Sequence, residues 1–126
     1  MDLQTGEYAL ASAGHPPVAR FDAGSGRWSL SEAEGPLLGV LDDGLFDGTP
    51  FPAERGVLRP GDALLLYTDG VVEVPGRDLA VGVDRLLGAM ERLVTRGFDG
   101  GLPELVDAVA PGAQDDRAVV LLWRAR

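Results

Sequence analysis

Two stretches of the chain are apolar without alternation, and they organise its predicted fold. They are Ala-Leu-Leu-Leu-Tyr at residues 63–67 and Ala-Val-Val-Leu-Leu-Trp at residues 118–123. Apolar runs of this length with no polar residue at alternate positions are typical of strands buried on both faces. The turn signal Pro60-Gly61 precedes the first run, and Thr68-Asp69-Gly70 follows it. We therefore predict two central strands, each covered on both sides.

Shorter segments predict the remaining strands, at residues 7–13, 18–21, 27–30 and 54–58. In the first of these, Tyr8 and Leu10 fall on one face because side chains alternate along a strand. The glycine-rich stretch Asp22–Gly26 is a hairpin signal, so we expect the first three segments to form an antiparallel meander. Residues 31–51 are rich in glycine and proline, which predicts a loop with one short strand or helical turn docked on the core.

After residue 78 the period of the apolar positions changes from two to that of a helix. The positions of one helical face are Val83, Leu86, Leu87, Met90, Leu93 and Val94. This spacing predicts an amphipathic helix ended by Gly97. Pro103 fits the first turn of a second, shorter helix, which Pro111-Gly112 stops. Strands, two helices and a final strand together predict an α+β fold of layered sheets, with the helices covering one sheet face.

Composition narrows the classes of partner. The 126 residues are enough for one domain with a real core. A net charge of −9, from 20 acidic and 11 basic residues, repels phosphate backbones and anionic lipids, so we expect no nucleic-acid or membrane partner. No apolar run reaches the length of a membrane span and no signal pattern is present, so we expect a cytoplasmic protein. The absence of cysteine excludes disulfides and thiolate metal sites.

Carboxylates mark one end of each apolar run. Asp69 follows the first run, and Asp115 and Asp116 stand just before the second. If the two strands are adjacent and antiparallel, these carboxylates meet at one edge, where a divalent cation would offset their repulsion. Oxygen ligands favour Mg²⁺ or Mn²⁺ over zinc. The alternative is that Asp69-Gly70 is an ordinary turn and Asp115-Asp116 a solvated one.

Four motifs occur in an order that points to a known family. They are Ala13–Pro17, then Gly35–Val40, then Leu58–Asp62 running into Leu66–Glu73, and then Asp115-Asp116 before an apolar strand. Together they resemble the SpoIIE/RsbU-like branch of the PP2C-type metal-dependent serine/threonine phosphatases. The resemblance covers essentially the whole chain and rests on the order of the motifs, since each one alone is a weak signal.

The resemblance implies a two-sheet β-sandwich flanked by helices, a PP2C-like α/β/β/α arrangement, with a two-metal centre at one edge. It assigns Asp69 and Asp115 as metal ligands, Asp116 as a further ligand, and Gly70 to the edge of the site. Two Mg²⁺ or Mn²⁺ ions would activate a water for hydrolysis of phosphoserine or phosphothreonine. The implied substrate is a phosphorylated regulatory protein, an anti-sigma-factor antagonist. His15 is either a ligand or phosphate donor at this edge, or a residue that pins its turn.

One departure from the family pattern concerns the bridging ligand. Family members begin with a further half-domain, which carries a Gly-Asp-Val-x-Gly-His-Gly-like stretch whose aspartate bridges both metals. No such stretch occurs in these 126 residues. We therefore expect residues 1–126 to be the C-terminal portion of one PP2C-like domain, inactive in isolation and homo-oligomeric through uncovered sheet. The alternative function is a non-catalytic pseudophosphatase that serves as an interaction module.

Overall fold

The structure is a computed structural model that describes residues 1–37, 51–73, 76, 78–111 and 116–126. Its elements, in chain order, are β1 (Glu7–Ala11), β2 (Ala19–Asp22), β3 (Arg27–Leu30), β4 (Ala53–Val57), β5 (Ala63–Tyr67), α1 (Asp69–Val72), α2 (Leu79–Val94), α3 (Leu102–Val109) and β6 (Val119–Trp123). The predicted strands and the two predicted helices are confirmed, whereas α1 was not predicted. Most of the predicted loop at 31–51 lies outside the described residues. None of the helices in the described ranges is long and apolar enough to cross a membrane.

The strands form two antiparallel sheets, and β5 lies inside the larger one. The four-stranded sheet has the order β3-β2-β5-β6, and β1 pairs with β4 in a separate two-stranded sheet. The predicted meander is therefore wrong: β2 and β3 form a hairpin, but β1 places Glu7 opposite Val57 and Ala11 opposite Ala53. The physical reason lies in Pro16-Pro17, since two prolines cannot donate to a ladder and do not form a tight hairpin between β1 and β2.

The alternating side chains of β5 hold the two sheets and the helices together. Ala63, Leu65 and Tyr67 belong to the cluster that contains the buried residues of all three helices. Leu64 and Leu66 point the other way, into a second cluster with Tyr8 of β1. Burial raises the pKa of the Tyr67 phenol, so it stays neutral and the strand buries no charge. The predicted α+β layered sandwich is confirmed, and within the described ranges the helices all pack on the four-stranded sheet.

Strand β6 differs from its prediction because part of it is uncovered. Val119 and Leu121 pack against the helical cluster. Val120 and Leu122, which point to the side of the two-stranded sheet, are 52% and 41% exposed, and Trp123 is 46% exposed. The two-stranded sheet covers the buried strand β5 but not the edge strand β6, as far as the described residues extend. The prediction that this strand is covered on both faces is therefore wrong for the described part of the chain.

A buried aspartate fixes the start of β5. Asp62 is 1% exposed, and its Oδ1 accepts a hydrogen bond from the Ala23 amide at 2.8 Å. Its Oδ2 accepts from the Arg59 amide at 2.9 Å. Two amide donors compensate the burial of a carboxylate, which would otherwise be costly. Asp62 therefore joins the turn after β2 to the turn that leads into β5.

Helix α2 approaches α1 closely at a glycine. Asp78 caps the start of α2 by accepting a hydrogen bond from the Ala80 amide at 3.2 Å. One turn later, a Cβ on Gly82 would overlap the backbone carbonyl of Val72, the last residue of α1. Val72 is completely buried, so neither helix can shift without opening the core. The short helix that begins with Asp69 is thus held in place by a main-chain contact.

We expect Gly82→Ala to destabilise the protein by about 1–3 kcal/mol, because overpacking at a buried contact forces the backbone to move. Gly88→Ala is the matched control, since it lies on the exposed side of the same helix with no atom near its Cβ position. Alanine there should stabilise the protein by up to about 1 kcal/mol through helix propensity. Chemical denaturation of the two variants measures both effects. Equal effects of the two substitutions would contradict the close contact between α1 and α2.

Candidate metal site

A single residue, Thr68, separates the end of β5 from the start of α1. Thr68 follows the strand, and its backbone carbonyl accepts a hydrogen bond from the Val71 amide at 3.1 Å. The Glu73 amide donates to the Asp69 carbonyl at 2.7 Å and closes the single helical turn. Asp69 is therefore the first helical residue, at the end of the central strand. The sequence predicted a rigid carboxylate or a turn here, and the structure forms one turn of helix.

The pairing of β5 with β6 brings the second carboxylate segment to the same edge. The strands are antiparallel, with Ala63 opposite Trp123 and Tyr67 opposite Val119. The end of β5 and the start of β6 therefore lie side by side, so the condition under which the sequence brings the two carboxylate segments to one edge is met. The Thr68 hydroxyl donates to the Asp116 backbone carbonyl at 3.0 Å.

Arg117 holds the same segment from the helical side. Its guanidinium donates to the carbonyl of Ala110, just after α3, at 2.9 Å. The same nitrogen lies 3.3 Å from a carboxylate oxygen of Asp107. The segment before β6 is thus fastened to β5 on one side and to α3 on the other. Arg117 was not predicted from the sequence, because no local pattern reports a contact between a strand end and a helix end.

Two of the three predicted ligands, Asp69 and Asp116, lie in the described part of the chain. Asp69 and Asp116 are exposed, and Asp69 Oδ1 accepts a hydrogen bond from the amide of the buried Gly70 at 3.1 Å. Asp115 lies outside the described residues. Among the described residues no group of three or more His, Cys, Asp or Glu side chains could hold a metal ion. Carboxylate oxygens at this edge fit Mg²⁺ or Mn²⁺ by chemistry, while the described side chains do not by themselves complete a coordination shell.

His15 lies at the same end of the four-stranded sheet as Asp69. Because β2 runs antiparallel to β5, the chain that enters β2 is located where β5 ends. His15 is exposed, and its Nδ1 lies 2.6 Å from the Pro16 carbonyl oxygen. Since a carbonyl only accepts, the tautomer with the proton on Nδ1 makes this bond. The bond is local to the turn, and a role for His15 as ligand or phosphate donor stays a prediction.

Comparison with known proteins identifies the family. The family model described as "Stage II sporulation protein E (SpoIIE)" matches residues 1–125. The chain belongs to the SpoIIE family. The resemblance predicted from the four ordered motifs is therefore confirmed.

Solved structures agree with this membership. The chain is similar to the RsbU and RsbW domains of Rv1364c from Mycobacterium tuberculosis, with 28% identity and a TM-score of 0.76 over 99% of this chain and 34% of that chain. It is similar in fold to the PP2C phosphatase domain of SpoIIE from Bacillus subtilis with a fragment of its regulatory domain, at 20% identity and a TM-score of 0.63, over 96% of this chain and 35% of that chain. The manganese-presoaked phosphatase domain of SpoIIE from Bacillus subtilis matches at 18% identity and a TM-score of 0.59, over 100% of this chain and 54% of that chain. The chain thus spans about a third to a half of the length of these structures, two of which are phosphatase domains of SpoIIE.

We expect the chain to bind Mn²⁺ weakly at this edge, with a Kd on the order of 10⁻⁴–10⁻³ M, the range of loose oxygen sites. Asp69→Asn should abolish the binding but change the free energy of unfolding by less than about 0.5 kcal/mol, since the side chain is exposed. Paramagnetic broadening of amide signals during a manganese titration measures the binding. Asp84→Asn, at an exposed position of α2, is the control. Tight stoichiometric binding that survives Asp69→Asn would refute the assignment.

Proposed function

We propose that this chain carries one edge of the metal centre of a PP2C-type protein serine/threonine phosphatase. One observation supports the proposal above the others: β5 and β6 pair antiparallel, so the end of β5, where Asp69 follows, lies beside the start of β6, and the Thr68 hydroxyl bonds to the Asp116 backbone. The chain belongs to the SpoIIE family, and SpoIIE from Bacillus subtilis has a PP2C phosphatase domain. This relationship is why we interpret the carboxylates at this edge as metal ligands of a phosphatase. In the proposed reaction a phosphoserine or phosphothreonine ester is hydrolysed.

The residues have separate roles in this proposal. Asp69 and Asp115 hold the cations, and Asp116 is a further ligand. Gly70 donates its amide to Asp69 Oδ1 and thereby orients the carboxylate. The cations, Mg²⁺ or Mn²⁺, would supply an activated water and neutralise charge at the phosphoryl group. Because Asp69 and Asp116 are exposed, the side chain of a phosphoprotein can reach this edge.

The proposed substrate is a phosphorylated regulatory protein, specifically an anti-sigma-factor antagonist. This choice rests on the likeness to the stress-regulator branch of the family, and the likeness to the RsbU and RsbW domains of Rv1364c is in keeping with it. We further propose that residues 1–126 correspond to the C-terminal part of a single PP2C-like domain. The whole of this chain matches 54% of the SpoIIE phosphatase domain, which supports the proposal that it is part of such a domain.

A second candidate function is a non-catalytic interaction module. It is favoured by one observation on the described residues: β6 exposes Val120, Leu122 and Trp123. Exposed apolar side chains on an edge strand favour association with another polypeptide. The two candidates differ in whether added metal produces turnover.

We expect the 126-residue chain in isolation to show no phosphatase turnover on p-nitrophenyl phosphate or on a phosphoserine protein with Mn²⁺. The reason is that a cation held by few ligands neither activates water nor clamps the phosphoryl group effectively. Steady-state assays across manganese concentrations make the measurement, with Asp69→Asn as the baseline. Manganese-dependent turnover that is lost in Asp115→Asn would contradict the expectation and show that the missing ligands are supplied elsewhere.

We also expect the chain to self-associate through β6 at micromolar concentration, because the outer edge and the Val120–Leu122 face of this strand are unpaired in the described structure. Sedimentation velocity measures the assembly state. Val120→Lys should shift the chain toward monomer, whereas Val57→Lys, at a position of similar exposure on β4, should not. A monomer with cooperative unfolding would mean that this chain is self-sufficient, and the proposal of an incomplete domain would then be wrong.

A further inference from the structure

The Thr68 side chain joins the two segments that carry the carboxylates. Its hydroxyl donates to the Asp116 carbonyl at 3.0 Å and accepts from the Ala118 amide at 2.9 Å. Its backbone amide donates to the Ala118 carbonyl at 3.0 Å. A hydroxyl has one proton and two lone pairs, so the bond to Asp116 uses the proton and the bond from Ala118 uses one lone pair. The 3.5 Å approach of the hydroxyl to the Ala118 carbonyl is correspondingly longer.

These contacts replace a bond that a regular strand would make with its main chain. In the register of β5 and β6, residue 68 stands opposite residue 118, one step beyond the pair Tyr67–Val119. A hydrogen-bonded pair in an antiparallel ladder exchanges two backbone bonds. Here the Thr68 amide makes the first bond, but the Ala118 amide donates to the side-chain hydroxyl. The side chain therefore takes the place of the Thr68 carbonyl in the ladder.

The backbone carbonyl of Thr68, which is not bonded to the Ala118 amide, starts helix α1. It accepts a hydrogen bond from the Val71 amide, the first bond of α1. One residue thus continues the sheet with its side chain while its backbone begins a helix. This arrangement leaves no loop between strand and helix, so Asp69 cannot move independently of the end of β5. The same hydroxyl fixes the Asp116 backbone, so the two carboxylate segments are positioned by one group.

We infer that Thr68 is a positioning residue of the metal edge: its hydroxyl sets the separation between Asp69 and the backbone of Asp116. The inference rests on the proposed function, because it concerns the same carboxylates. Groups that orient metal ligands without touching the metal commonly contribute a factor of 10–100 to metal affinity. Serine keeps a hydroxyl on the same atom, whereas valine keeps the branched shape and loses the hydrogen bonds.

The test compares Thr68→Val and Thr68→Ser in the full 126-residue chain. With Mn²⁺ alone as the probe, Thr68→Val should weaken binding by about 10–100-fold, and Thr68→Ser should retain the affinity of the unsubstituted chain. Without metal, hydrogen exchange at the Ala118 amide should become faster in Thr68→Val and stay protected in Thr68→Ser. Because Ala118 and Asp116 are exposed, water can replace the lost bonds and the chain should remain folded.

Thr95→Val is the matched control. The Thr95 hydroxyl also donates to a backbone carbonyl, that of Arg92 at 2.8 Å, but at the far end of α2. This variant should leave both manganese binding and Ala118 exchange unchanged. Unaltered binding in Thr68→Val, or equal losses in the serine and valine variants, would overturn the positioning role.

The design separates this inference from the proposed function. If Asp69→Asn abolishes manganese binding and Thr68→Val does not weaken it, the metal edge stands and the positioning role is wrong. If Asp69→Asn leaves binding unchanged, or the unsubstituted chain binds no manganese, the proposed metal edge is wrong and the inference fails with it.

Discussion

The structure depends on a central strand, β5, that is paired along both edges and buried on both faces. Its neighbours in the sheet are β2 and β6, and its side chains alternate between the helical cluster and the two-stranded sheet. A strand in this position cannot slip by one residue, because slippage would exchange its two apolar faces and disturb both clusters. Residues at the two ends of β5 are therefore held in fixed positions. At one end stands the buried Asp62, which organises two turns, and at the other stands Asp69.

The two aspartates show how burial decides the use of a carboxylate. Asp62 is buried, and backbone amides bind both of its oxygens, so its carboxylate is out of contact with solvent and serves the two turns. Asp69 is exposed, and its Oδ1 accepts a hydrogen bond from the Gly70 amide. In a chain of net charge −9, exposed carboxylates that share an edge repel one another, and a cation relieves that repulsion. The contrast favours Asp69 over Asp62 as a metal ligand.

Periodicity predicted most of the fold because it reports burial directly. The two unbroken apolar runs became β5 and β6, and the helical spacing of 83–94 became the core face of α2. The prediction of a meander was wrong because alternation shows that a segment is a strand but does not show which strand it pairs with. The candidate site was proposed from its carboxylates, whose type and place in the sequence carry a chemical signal, and their role as ligands stays a prediction. Thr68 and Arg117 were missed because their roles depend on contacts across 48 residues and with the end of α3.

The position of β6 links the candidate metal edge to the uncovered face. This strand pairs with β5 alone in the described structure, and the segment before it carries Asp116. Edge strands with one partner and exposed apolar side chains open more readily than central ones. Any polypeptide that covers Val120 and Leu122 would stabilise the pairing that joins Asp116 to Thr68, and would thereby favour the proposed binding of a metal ion. By reciprocity, a cation bound at the edge would favour the covered state, because two ligands that stabilise one conformation strengthen each other's binding.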